Sequence, residues 1–114
     1  MKLPNAEKAE VPEAKITGYL LSFVHEDGRS KAAFFTRFGF SASEWRSLAL
    51  ALITHATNHN VVNVEPSQFG MRYVIEGIIH APDGRSPEIR SIWFIEREDM
   101  TPRFVTAYPL RRKL

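Results

Sequence analysis

Gly70-Met71-Arg72-Tyr73-Val74-Ile75-Glu76-Gly77-Ile78-Ile79-His80-Ala81 is followed, across Pro82-Asp83-Gly84, by Glu88-Ile89-Arg90-Ser91-Ile92-Trp93-Phe94-Ile95-Glu96-Arg97. Both runs are rich in β-branched and aromatic residues and are bounded by turn formers, the composition of strands. Pro-Asp-Gly is a turn signal, so the two runs read as one long antiparallel hairpin. A period of two sends Arg72, Val74, Glu76, Ile78 and His80 to one side of the first strand, opposite Met71, Tyr73, Ile75 and Ile79. On the second strand Ile89, Ser91, Trp93 and Ile95 oppose Arg90, Ile92, Phe94 and Glu96. Neither strand has a wholly polar face, which predicts a sheet covered for part of its length on both sides.

Working outward, two more strands are expected near Val61 to Glu65 and Arg103 to Pro109. Before them the period becomes three and four. Ser41-Ala42-Ser43-Glu44 has the form of a capping box, and Trp45, Leu48, Leu52 and Ala56 follow on one stripe, predicting a helix from about Ala42 to Thr57. Phe40 and Trp45 flank that box at the positions of a hydrophobic staple. Asp27-Gly28 marks a turn, after which Ser30 is placed to cap a short helix that carries Ala32, Phe35 and Phe38 inward and ends at Gly39. The aromatic run of Phe34, Phe35, Phe38, Phe40 and Trp45 has helical spacing and reads as core. A first helix begins at Pro12, with Ile16, Tyr19, Leu20 and Phe23 on one face. Helices first and strands afterwards predict an α+β domain, its N-terminal helices packed on one face of a roughly four-stranded antiparallel meander. The expected layout is one domain over 1–114: an arm at 1–11, a helical part at 12–58, the sheet at 61–109 and a basic tail at 110–114.

At 114 residues, 44% hydrophobic and 25% charged, the chain is the size and composition of one globular domain. With no cysteine it has neither disulfides nor thiolate metal sites. No apolar run reaches membrane-spanning length and Met1 to Pro12 lacks the apolar core of a signal peptide, so a soluble, cytoplasmic protein without membrane contact is expected. Fifteen basic and 13 acidic residues leave a net charge of +2, but Arg103, Arg111, Arg112 and Lys113 gather near the C-terminus, where they would attract a polyanion or an acidic partner. Gly-x-Gly, GxSxG and HExxH patterns are missing. His55 and His59 lie four apart without a third ligand at a known spacing, so neither metal nor cofactor is expected.

The last strand, Pro102-Arg103-Phe104-Val105-Thr106-Ala107-Tyr108-Pro109, carries an arginine, a hydroxyl and a phenol that a plain core strand does not need. Strict alternation sends Phe104, Thr106 and Tyr108 to one face. A second polar group, His25, Arg29 and Lys31, stands upstream around the start of the short helix. These stretches, with Lys2-Leu3-Pro4-Asn5-Ala6 and Pro82-Asp83-Gly84-Arg85, resemble a small bacterial family of unknown function over nearly the whole chain. More distantly, the element order and the Thr-x-Tyr-Pro ending are similar to the barnase, EndoU, colicin and RelE-like group of metal-independent ribonucleases and toxins. That resemblance implies RNA as target, a neutralising antitoxin or immunity partner, no sequence-specific DNA reading, and His25, Lys31, Thr106 and Tyr108 as catalytic residues. Cleavage of RNA without metal needs a proton acceptor for the 2′-hydroxyl, cations around the phosphate and a proton donor to the leaving 5′-oxygen. Histidine suits proton transfer, and arginine and lysine suit the phosphate. On that chemistry Arg29 and Arg90, with Arg103 on the last strand, are candidate phosphate or RNA contacts. Many such nucleases oppose the first histidine with a second histidine or a glutamate; here His80 and Glu76 are the candidates.

Overall fold

The computed structural model describes residues 1–111. Arg112, Lys113 and the end of the expected basic tail lie outside the described residues. The elements follow the predicted order: α1 (Glu13–Lys15) running into a π-helical turn (Ile16–Leu20), α2 (Arg29–Arg37), α3 (Trp45–Asn58), then β1 (Val61–Ser67), β2 (Gly70–Ile78), β3 (Glu88–Glu96) and β4 (Arg103–Pro109). The strands form one antiparallel sheet in the order β1-β2-β3-β4. This is the expected α+β architecture, with α3 against β2 and with α1, its π turn and α2 gathered near β4.

Helix ends depart from the sequence expectations for local reasons. The Leu21 N–H donates to the Ile16 carbonyl at 2.8 Å, five residues back, and this wide turn buries Ile16 and Leu20 completely. The element stops there, so Phe23 is 59% exposed rather than part of the inward face. Ser30 does not cap α2; the cap position is Gly28, and Ser30 stands inside the first turn. The N–H groups of Asp27 and Gly28 donate instead to His25 Nδ1, at 3.0 and 3.1 Å. At the far end Gly39 takes φ 100°, with its N–H on the Thr36 carbonyl and the Phe40 N–H on the Phe35 carbonyl. This is a Schellman end, sealed by the edge-on contact of Phe40 with Phe35 at 6.0 Å. The Phe40 ring thus serves the end of α2. Ala32 and Phe35 are buried as predicted, whereas Phe38 is only half-buried beneath Arg85.

The capping box at Ser41 is not made either. A 3-10 turn over Ala42–Glu44 leads into α3, and the Ser41 hydroxyl pairs with that of Ser43 at 3.3 Å, not with the helix backbone. Leu48, Leu52 and Ala56 are buried on the predicted stripe, and His55 joins them. β2 stops at Ile78, short of the expected Ala81, as the chain enters the loose turn closed by Ala81 N–H on the Arg85 carbonyl. The arm is more ordered than its sequence suggests. Leu3 is buried, and Glu10 bridges Arg103 through Phe104 N–H and the Pro102 carbonyl, covering part of the free edge of β4.

Side-chain direction in both edge strands is set by a bulge. Trp93 opposes Phe104 but Ile92 opposes Thr106, which leaves Val105 unpaired as an extra residue. Phe104 and Thr106 therefore point to opposite faces, correcting the strict alternation expected for this strand. Phe104 packs edge-on against Trp93 at 5.4 Å in the core, and Thr106 and Tyr108 point to the outer face. In β1 the pairing likewise jumps from Val61–Ile75 to Asn63–Val74, leaving Val62 extra and turning Asn63 outward. The core between sheet and helices centres on Trp93, whose indole N–H donates to the buried Ser91 hydroxyl at 2.9 Å. On the outer face Val74 and Ile92 are also buried, as the mixed strand faces predicted.

Candidate functional site

The bulge in β4 brings the end of that strand to α2. Tyr19, in the π turn, shares a hydrogen bond between its hydroxyl and that of Thr106 at 2.8 Å. Its ring receives His25 edge-on at 5.0 Å, and the ammonium groups of Lys15 and Lys31 lie 5.5 and 5.4 Å from its centroid. Cations over a phenol face are attracted by the ring quadrupole. Lys31 Nζ is fixed further by donating to the Asp27 carbonyl at 2.8 Å. Gly28 makes this packing possible, because a Cβ there would sit 2.0 Å from the Tyr19 carbonyl oxygen.

Beside this hub a cleft of about 660 Å³ opens between α2 and the end of β4. Lys31, Phe34 and Arg37 line it from α2, Arg90 from β3, and Tyr108 and Arg111 from the end of the chain. No carboxylate is among its lining residues within the described part of the chain. Arg90 donates to Glu76 through Nε at 2.7 Å and approaches the Tyr108 hydroxyl at 3.4 Å. Tyr108 and Glu76 together push its pKa up, so this guanidinium stays charged at any working pH. Lys31, Arg37 and Arg111 have no such carboxylate partner among the described residues. An open concavity lined by cations, of which Lys31, Arg37 and Arg111 lack a carboxylate partner among the described residues, focuses a positive potential on whatever enters it.

The candidate residues separate clearly. Lys31, Tyr108 and Arg90 share the cleft; His25 and Thr106 touch Tyr19 behind it. His25 Nδ1 already accepts two backbone N–H groups, which places the proton of the neutral ring on Nε2. Arg29 is exposed and its side chain makes no ion pair among the described residues. Arg103 opposes Phe94 at the other end of β4, on the order of 15 Å from Tyr108 along the strand, and faces Asp99 at 4.0 Å. It is not brought to the cleft. Glu76 adjoins the cleft through Arg90, whereas His80 bonds Ser86 and lies by the end of α3 with His55 and His59.

Those last two histidines converge on one acceptor. His55 Nδ1 and His59 Nε2 lie 3.0 and 3.1 Å from the Ile78 carbonyl, so each ring nitrogen there carries a proton. Burial lowers the pKa of His55, with the charge of His59 adding to the effect. No group of three metal-binding side chains occurs among the described residues. Tyr19 and Arg37 were missed in the sequence. Arg37 had a legible signal, since positions 31, 34 and 37 share a helix face. Tyr19 had none, because its partner is 87 residues away.

The fold is shared with a chain of a contact-dependent growth inhibition toxin–immunity protein complex from Klebsiella pneumoniae 342, with a TM-score of 0.64 and 17% identity over 88% of this chain and 98% of that one. At that identity the likeness is one of fold. No curated protein matches the sequence. The family model described as a domain of unknown function, DUF6883, matches residues 2–111, and the chain belongs to that family. No helix among the described residues is long and apolar enough to cross a membrane.

Proposed function

We propose that this chain is a metal-independent endoribonuclease of bacterial toxin type, which holds RNA in the α2–β4 cleft and cleaves it to a 2′,3′-cyclic phosphate. The observation that carries the reading is the cleft lining: Lys31, Arg37, Arg90 and Arg111 without a carboxylate, beside the Tyr108 hydroxyl. Fold likeness to a chain of a toxin–immunity complex supports a place in such a system, as toxin or as immunity-type chain. In the reaction the 2′-oxygen attacks phosphorus, its proton passes to a base, the P–O5′ bond breaks, and the 5′-oxygen takes up a proton. Lys31 and Arg90 hold the phosphate and neutralise its developing charge, and Tyr108 donates to a non-bridging oxygen. Thr106 acts through Tyr19, whose ring seats Lys31. His25 is the first proton-transfer group of this reading, and Glu76, next to Arg90, is the second in preference to the distant His80. The enzyme acts in the cytoplasm, and an acidic immunity-type partner covers the same basic cleft.

A second reading, a non-catalytic binding module, is favoured by one observation. The Nδ1 of His25 is occupied by the two N–H groups that shape its turn, so the ring offers no free acceptor to a substrate proton. Digestion of mixed cellular RNA in EDTA, with analysis of product ends, decides between them. Cyclic phosphate ends, lost in Lys31→Ala and much reduced in Tyr108→Phe, are the expected result. Intact RNA that is nonetheless bound would leave a binding module for RNA, and RNA neither bound nor cut would refute the nuclease and leave a module for a protein partner.

A further inference from the structure

The two bulges aim at one row. Asn63 opposes Val74, Val74 opposes Ile92, and Ile92 opposes Thr106, so the residue following each bulge lies at one end of a single cross-strand line on the outer face. Without the extra Val62, Asn63 would share the inward side of Val61. A shallow concavity of about 280 Å³ lies over this row. Its floor is Val74 and Ile92, both buried and apolar. On one side stands a hydrogen-bonded set: Arg72 Nη1 donates to Glu65 Oε1 at 2.6 Å and Asn63 Nδ2 to Glu65 Oε2 at 3.0 Å. Among the described residues no side-chain hydrogen bond takes up the Oδ1 acceptor of Asn63 or the remaining donors of Arg72. On the other side stand Glu76, neutralised by its pairing with Arg90, and Arg90 and Tyr108 themselves, which also line the α2–β4 cleft and so form the ridge between the two hollows.

From this geometry we infer that the outer-face hollow is a nucleobase subsite, reading one unpaired base of the RNA whose phosphate lies across the ridge. The inference rests on the RNA reading above. An apolar floor in a concavity, with a few polar groups placed at the rim, is the usual make-up of a site for a small ligand. Planar amide and guanidinium groups offer the paired donors and acceptors that discriminate base edges, and unpaired bases alone present those edges freely. The phosphate cleft supplies affinity without sequence information, and the hollow supplies the choice of base.

Short single-base oligoribonucleotides with 2′-O-methyl groups, which cannot undergo cleavage, are titrated onto the full chain at several salt concentrations. Wild type is expected to prefer one base by roughly fivefold or more, the range for a specific base contact. Asn63→Ala, at an exposed position, and Arg72→Ala, at a half-buried one, should bring that preference close to unity and leave the salt dependence unchanged. Lys31→Ala should do the reverse, lowering the salt slope by about one and keeping the preference. Binding without a base preference, or a preference that survives both hollow variants, overturns the subsite while leaving RNA binding intact. Failure to bind any oligonucleotide overturns the RNA reading itself.

Discussion

At the scale of single residues, Tyr19 carries more of the site than any side chain singled out in the sequence. One ring takes His25 on its edge and two ammonium groups near its face, and its hydroxyl is tied to Thr106. Tyr19→Phe keeps the ring and loses only the hydrogen bond, so thermal unfolding should show a cost of about 1 kcal/mol. RNA affinity should then fall less than in Lys31→Ala, because the seat of the ammonium remains. An equal loss in both would mean that the Thr106 bond, and not the ring, positions Lys31. His25 is also informative at this scale. Its Nδ1 closes the turn before α2, as a side-chain cap would, so His25→Ala should lower stability by about 1 kcal/mol even if no RNA is ever cut. Denaturant titration of this variant beside its RNA assay separates the structural role from a chemical one.

Among the elements, α2 and β4 matter most, because the site exists only where they meet. Gly28 lets the start of α2 press on the backbone of Tyr19, with no room for a methyl group. Gly28→Ala should cost about 1–3 kcal/mol through overpacking against backbone that cannot move aside. It should also shift α2 away from β4 and weaken RNA binding, which titration of the purified variant would detect; unchanged stability and affinity would show that the turn yields freely. The strand order and hairpin were legible because period and composition are local properties. The helix caps were less so. Ser30 and Ser41 have the right residue type, yet Gly28 takes the cap position of α2, with the Ala32 N–H on its carbonyl, and a 3-10 turn leads into α3. A cap is a competition among nearby acceptors, and residue type names only one contestant.

Over the whole molecule, acid should act first on His55. Its pKa is lowered on folding by burial, so the unfolded chain binds the proton more readily than the folded one. The stability it contributes is complete above its ordinary value of 6.5 and is lost as the pH falls below that value towards the folded pKa. Asp83 and Asp99, held below the usual carboxylate range by the hydrogen bonds of Arg85 and of the Thr101 and Met100 backbone, contribute in a lower window, lost as the pH drops below 3.8. Urea midpoints measured between pH 8 and pH 3 should therefore decline in two stages. In His55→Gln the upper stage should vanish; its persistence would assign that stage to another group.

The sequence by itself determined the α+β fold, with helices preceding an antiparallel meander and a core along the predicted stripes, because burial periodicity is written into neighbouring residues. It also named Lys31, Tyr108 and Arg90, since cations and phenols on otherwise apolar elements stand out by type. Only the tertiary structure decided which way β4 and β1 present their polar residues, because one unpaired residue in each, Val105 and Val62, reverses the alternation, and a bulge is defined by the partner strand. Tertiary structure alone also separated Arg103 from the cleft and brought Tyr19 to Thr106. Such contacts depend on where the chain returns in space, and no local pattern of side chains records that.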